Sequence, residues 1–147
     1  MDQELTRGKP IEIQLETTIN QGGKTHHHLF EEEGRMIELN GHYYLRYEES
    51  REDTETPPSV TFKIHPQGRV TVIRNAEQTT RLTFDRNQKT ISRYVTPAGQ
   101  LELNISTTSM ELALKDRPFS GYLEVNYQMV TGSQLLGDYQ LRLRFTT

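Results

Sequence analysis

The chain has 147 residues, a formal net charge of −3 at pH 7 and no cysteine. That length fits one domain able to bury a core without a metal or cross-link, and the missing cysteine excludes disulfides, thiolate zinc sites and a cysteine nucleophile. The mildly acidic balance supplies no electrostatic footprint for nucleic acid or an anionic membrane.

Residues 1–9 (MDQELTRGK) carry neither an apolar core nor a small-residue cleavage site, so no secretory signal is expected there. No apolar run approaches the roughly 18 residues of a membrane-spanning helix, so a cytoplasmic location is expected. From residue 11 the pattern has period two: Ile11, Ile13, Leu15, Thr17 and Ile19 alternate with Glu12, Gln14, Glu16 and Thr18. This is a half-buried strand, ended by Asn20-Gln21-Gly22-Gly23. A second strand is expected over residues 25–33. A hairpin follows, residues 35–39 and 42–48 joined by Asn40-Gly41, the dipeptide that best tolerates the two positive φ angles of a tight hairpin turn.

Residues 48–58 (EESREDTETPP) are charged, closed by two prolines, and read as a mobile loop. Val60, Phe62 and Ile64 resume the alternation, and His65-Pro66-Gln67-Gly68 turns the chain. Further strands are expected at residues 69–75, 78–84 and 90–96. After the turn Thr96-Pro97-Ala98-Gly99, the residues Leu101, Leu103 and Ile105 share a face with Thr107 and Ser109. The apolar phase then moves by one, to Met110, Leu112 and Leu114, which predicts a bulge. Residues 110–116 could alternatively form a helical turn or two. A loop is expected at 115–121. Leu123, Val125, Tyr127 and Met129 form the next apolar face, and Tyr139, Leu141, Leu143 and Phe145 the last.

Strands linked by short turns favour sequential antiparallel pairing, and closing such a sheet removes its exposed edges. The expected fold is all-β: a single antiparallel barrel of about eight to ten strands, with a two-sheet sandwich as the alternative. Residues 1–8 are expected to be a flexible segment and 9–147 the barrel domain.

Residues 91–108 (ISRYVTPAGQLELNISTT) combine Tyr94, Thr96-Pro97, Gly99, Leu101-Glu102-Leu103 and Thr107-Thr108. Together with residues 41–49 (GHYYLRYEE), they resemble the YwiB-like family of small bacterial proteins, a domain of unknown function. The similarity runs from about Ile11 to Phe145. It implies a lipocalin-like, calycin-type barrel and a cytoplasmic protein. It transfers no catalytic residue. The Gly-x-Trp mark of true lipocalins is absent, because the chain has no tryptophan.

The candidate sites are few. His26 and His28 would share one strand face and could offer two imidazoles to zinc, with a third ligand from Glu31, Glu32, Glu33, His42 or His65. A solvated polar strand is the simpler reading, and no metal is assigned. Glu31–33 and Glu48, Glu49, Glu52, Asp53 and Glu55 are acid–base material without a defined spacing. There is no G-x-S-x-G elbow, and Gly22-Gly23-Lys24-Thr25 lacks the first glycine of a phosphate loop, since position 18 is Thr18.

The polar and aromatic residues on inward faces remain: Tyr43, Tyr47, Thr107, Ser109 and Tyr127, the residues expected to line a barrel interior. The reading that follows is a non-catalytic binder of a small, partly apolar ligand, acting as monomer or homodimer without nucleic acid, membrane or cofactor. One alternative is a packed interaction module working through its outer face or residues 48–58. The other is an enzyme with an acid–base pair or a histidine metal site.

Overall fold

The computed structural model describes residues 8–49, 56–86, 88–116 and 119–147. Ten strands follow in chain order: β1 (Lys9–Gln21), β2 (Lys24–Leu39), β3 (His42–Glu48), β4 (Ser59–Ile64), β5 (Val70–Asn75), β6 (Thr79–Phe84), β7 (Lys89–Thr96), β8 (Gly99–Asp116), β9 (Phe119–Thr131) and β10 (Gln134–Thr146). They form one antiparallel sheet in the order β6-β5-β4-β3-β2-β1-β10-β9-β8-β7. Every pair except β1–β10 joins consecutive strands.

The two terminal strands of that order, β6 and β7, meet and bring the sheet into a nearly closed barrel. Among the described residues their seam carries no backbone ladder. The Thr90 hydroxyl donates to the Thr83 carbonyl at 2.5 Å, and the Ser92 hydroxyl to the Arg81 carbonyl at 2.6 Å. Hydroxyls on inward positions of β7 thus satisfy carbonyls that a closed edge would leave bare. One continuous sheet replaces the sandwich alternative.

The barrel interior is filled. Leu45, Phe62, Ile64, Val70, Phe84, Ile105, Leu123, Val125 and Leu143 are essentially inaccessible. These residues come from strands around the whole barrel, each on the apolar phase of its alternation. On the expected inward face of β9 and β10, Leu123, Val125, Tyr127, Leu141, Leu143 and Phe145 are buried, and Met129 and Tyr139 are partly buried against them. On β8 it is buried only from Ile105 onward. Leu103 is half-buried and Leu101 is 44% exposed, because the β7–β8 tip stands clear of the core.

Other elements differ in extent. Residues 25–33 and 35–39 are one strand, β2, continuous through Gly34. Residues 110–116 are strand, paired with β9, and contain no helical turn. The predicted bulge is present, with the register shifting between Thr107 and Ser109. Most of the loop expected at 115–121 is strand, because β8 runs to Asp116 and β9 begins at Phe119; residues 117–118 lie outside the described residues. Of the expected loop 48–58, residues 50–55 also lie outside the described residues, as do 1–7 of the N-terminal segment. The base of that loop is closed by the Glu49 N–H donating to the Pro58 carbonyl at 2.8 Å. No helix among the described residues is long and apolar enough to cross a membrane.

Candidate binding site at the barrel mouth

Strand register sets Gly34, Tyr47, Val60 and Arg74 side by side across β2, β3, β4 and β5. The neighbouring row is apolar: Met36, Leu45, Phe62, Val72 and Leu82. Both rows occupy the inner phase of their strands. The inner face therefore changes within one step from wholly apolar to mixed, with Tyr47 and Arg74 beside Val60, toward the end of the barrel where β3 leaves for β4.

At that mouth, Arg74 and Glu49 form a two-pronged ion pair. Arg74 Nε donates to Glu49 Oε2 at 2.8 Å and Nη2 to Oε1 at 2.9 Å. The fork geometry fixes both side chains in orientation as well as in energy. The hydrogen bonds from Glu49 raise the already high pKa of Arg74, against the opposing effect of burial. Tyr47 is buried beside the pair. Burial first, then the nearby charges of Glu49 and Glu32, push its phenol well above the ordinary tyrosine value, while Arg74 pulls it back. Tyr47 is thus a neutral hydroxyl at any physiological pH. Tyr94 also lies close enough for its charge state to bear on Arg74. Tyr94 pairs with Leu101 across β7 and β8, and both are partly open to solvent.

The residues expected to line the interior do not all gather here. Tyr47 is at the mouth. Tyr43, four positions away along β3 toward the other end, packs on Phe119 with ring centroids 5.1 Å apart. Tyr127 is held between Phe84, at 4.6 Å, and Tyr139, stacked at 5.1 Å. Burial, and secondarily Tyr139, raises its phenol pKa. Thr107 is the cross-strand neighbour of Tyr127 and is 3% exposed. Ser109 leaves the interior set: the bulge rotates it to the outer surface, where its hydroxyl accepts from Asn126 Nδ2 at 2.8 Å.

The Thr107 hydroxyl has no hydrogen-bond partner among the described residues. A buried hydroxyl without a partner costs free energy that an isosteric methyl avoids. Thr107→Val is accordingly expected to be neutral or to stabilise by up to about 1 kcal/mol, read from the urea midpoint.

Arg74 was not singled out by sequence reasoning, and Glu49 only as one of several acid–base carboxylates, although a signal for the pair existed. Arg74 continues the inward phase of Val70 and Val72, and Glu49 that of Tyr43, Leu45 and Tyr47. A charged residue in an apolar phase is the trace such a pair leaves. The histidines do not converge. His27 sits 3.3 Å from Glu16 and 3.0 Å from the Thr18 hydroxyl, on the exposed part of β2. His42 and His65 meet edge to face at 5.0 Å at the opposite end of the barrel. Among the described residues no three metal-capable side chains come together.

A family described as a domain of unknown function (DUF1934) matches residues 13–143. Among solved structures, the crystal structure of the ywiB protein from Bacillus subtilis is similar, with a TM-score of 0.76 at 23% sequence identity. The alignment covers 93% of this chain and 90% of that one, and at this identity it speaks for the fold. Comparison with curated proteins returns no match.

Proposed function

This chain belongs to the DUF1934 family of domains of unknown function, and on that premise we propose that it is a non-catalytic binding protein whose small, partly apolar ligand sits at the barrel mouth. The observation that carries this reading is the abrupt change of the inner face, from a filled apolar core to Tyr47 and the Arg74–Glu49 pair. A filled core supplies a floor, so binding happens on it and not within a hollow barrel. The apolar part of the ligand has Tyr94 and Leu101 to rest on. Its polar part has the Tyr47 hydroxyl and the ion pair.

The chemistry of these groups supports binding over catalysis. A phenol held far above its normal pKa is a poor base at neutral pH, and the Glu49 carboxylate is already engaged by two guanidinium N–H groups. The cytoplasmic location implied by the family resemblance belongs to the same proposal.

N-phenyl-1-naphthylamine, a neutral and largely apolar fluorophore, is a suitable probe. Saturable fluorescence enhancement is expected for the wild-type protein. Tyr47→Phe and Arg74→Met should weaken it about three- to tenfold, the range expected for one lost hydrogen bond. Unsaturable binding, or identical binding by all three proteins, would remove the mouth as the site. The filled core also supports an interaction module, for which the outer edge of β2 over residues 25–33, not laddered to any strand among the described residues, offers a surface.

A further inference from the structure

Strand β2 pairs with β1 from Lys24 to Met36, but it meets β3 only from Gly34 onward. No described residue pairs with its other side over residues 25–33. Two tight turns decide which backbone groups face that open side. Gly22-Gly23, with φ of 59° and 79°, closes on the pair Gln21–Lys24, so even-numbered residues of β2 bond to β1. Asn40-Gly41 closes on Leu39–His42, so odd-numbered residues bond toward β3. The N–H and C=O groups of Thr25, His27, Leu29, Glu31 and Glu33 therefore point outward in a row.

Edges of this length are normally shortened, bulged, blocked by proline or covered with charge. This one is neither short, bulged nor interrupted by proline, and between its charged ends it displays Leu29 at 55% and Phe30 at 45% exposure. The other long edge is treated differently. On β8 past the bulge, the Met110 carbonyl is capped by Arg86 Nη2 at 2.7 Å.

The order of charges along the β2 edge names its partner. The first half carries Lys24, His26, His27 and His28, and the second half is acidic, with Glu31, Glu32 and Glu33. We infer that this edge pairs with the same edge of a second copy, as an antiparallel β2–β2 ladder about a two-fold axis. Antiparallel pairing lays the first half of one copy on the second half of the other, whereas parallel pairing would set glutamate beside glutamate. Backbone parity places the axis on a residue and not between two, and centring the ladder on the open span 25–33 puts it at His28 or Leu29. With the axis at Leu29, His27 stands directly opposite Glu31 of the other copy, about 5 Å between Cβ atoms. With the axis at His28, the two are diagonal neighbours, roughly 7–8 Å apart. Leu29 of each copy meets apolar or imidazole surface of the other in both registers. The dimer is thus one sheet running through two barrels.

The absence of cysteine makes the test direct. His28→Cys or Leu29→Cys is expected to oxidise to a covalent dimer, while Glu102→Cys, on the exposed tip of β8, should not. Native mass spectrometry should show a concentration-dependent dimer of the unmodified chain. Leu29→Lys and Glu31→Lys should each raise its dissociation constant at least about tenfold. Leu29→Pro should do the same while preserving the β1–β2 ladder, because its missing N–H lies on the open side. A monomer at every concentration would overturn the inference. So would a dimer indifferent to Leu29→Lys, or cross-linking of Glu102→Cys as readily as of His28→Cys.

Discussion

Replacing Leu143 with aspartate is expected to unfold the protein. Leu143 is fully inaccessible, and on β10 it lies between Leu15 of β1 and Leu123 of β9, with Leu112 of β8 next in the row. All four are aliphatic, and none can donate a hydrogen bond from its side chain. A carboxylate placed there loses water and gains no partner, which costs several kcal/mol. The substitution also removes the burial and packing of a leucine, a further roughly 2–5 kcal/mol. Together these approach the whole stability of a small domain, about 5–15 kcal/mol. The expected result is loss of the β signal in far-UV circular dichroism, or failure to accumulate in the soluble fraction. Glu102→Lys, on an exposed position of β8, is the matched control and should stay within about 1 kcal/mol. A protein that tolerates both equally would refute the assignment of the inner face.

The residues that make Leu143→Asp severe were readable in advance, and the same logic shows where reading stops. On β9 and β10, alternation alone placed Leu123, Val125, Leu141, Leu143 and Phe145 inside, since a one-residue slip would turn all of them to water. On β8, alternation placed Leu101 and Leu103 inside as well, and the outcome there is different. Periodicity reports which face a residue occupies, but not how far the strand runs past the core. The bulge at Thr107 was legible as a phase change, yet its consequence for Ser109 depends on which side of the extra residue the rotation falls. The Arg74–Glu49 pair joins segments 25 residues apart, and only the register of β3, β4 and β5 brings them together. The closing seam between β6 and β7 depends on Thr90 and Ser92 reaching carbonyls of a strand they never ladder with, and no local pattern encodes that.

Gly34→Ala is expected to be the most damaging single-methyl change at the mouth. In the sequence, Gly34 reads as a break between two strands. In the fold it is the point where β2 passes from pairing on one side to pairing on both, with Ile11 of β1 opposite it on one side and Tyr47 of β3 on the other. A Cβ built there would stand 2.5 Å from the backbone oxygen of Arg46, 2.8 Å from Ile13 Cδ1 and 3.2 Å from Tyr47 Cβ. The Ile13 methyl can rotate away. The Arg46 carbonyl cannot, because it belongs to β3, which is tied to β4 on its far side. Relief requires β2 and β3 to separate where the barrel bends. Overpacking against a backbone that cannot yield costs roughly 3 kcal/mol, or a fall in Tm of about 10 °C for a chain of this size. Gly22→Ala separates this steric effect from a merely conformational one. Its Cβ meets nothing within 4 Å, so only the φ of 59° is strained, at about 1 kcal/mol. The two variants also differ in function. Pushing β3 outward moves Tyr47 off the Arg74–Glu49 pair, so Gly34→Ala should weaken N-phenyl-1-naphthylamine binding at temperatures where the protein is still folded. Gly22→Ala, at the far tip of the β1–β2 hairpin, should leave that binding unchanged. Equal melting temperatures for the two variants would show that β2 and β3 can part at this corner without loss, and that the bend is not set by the missing side chain.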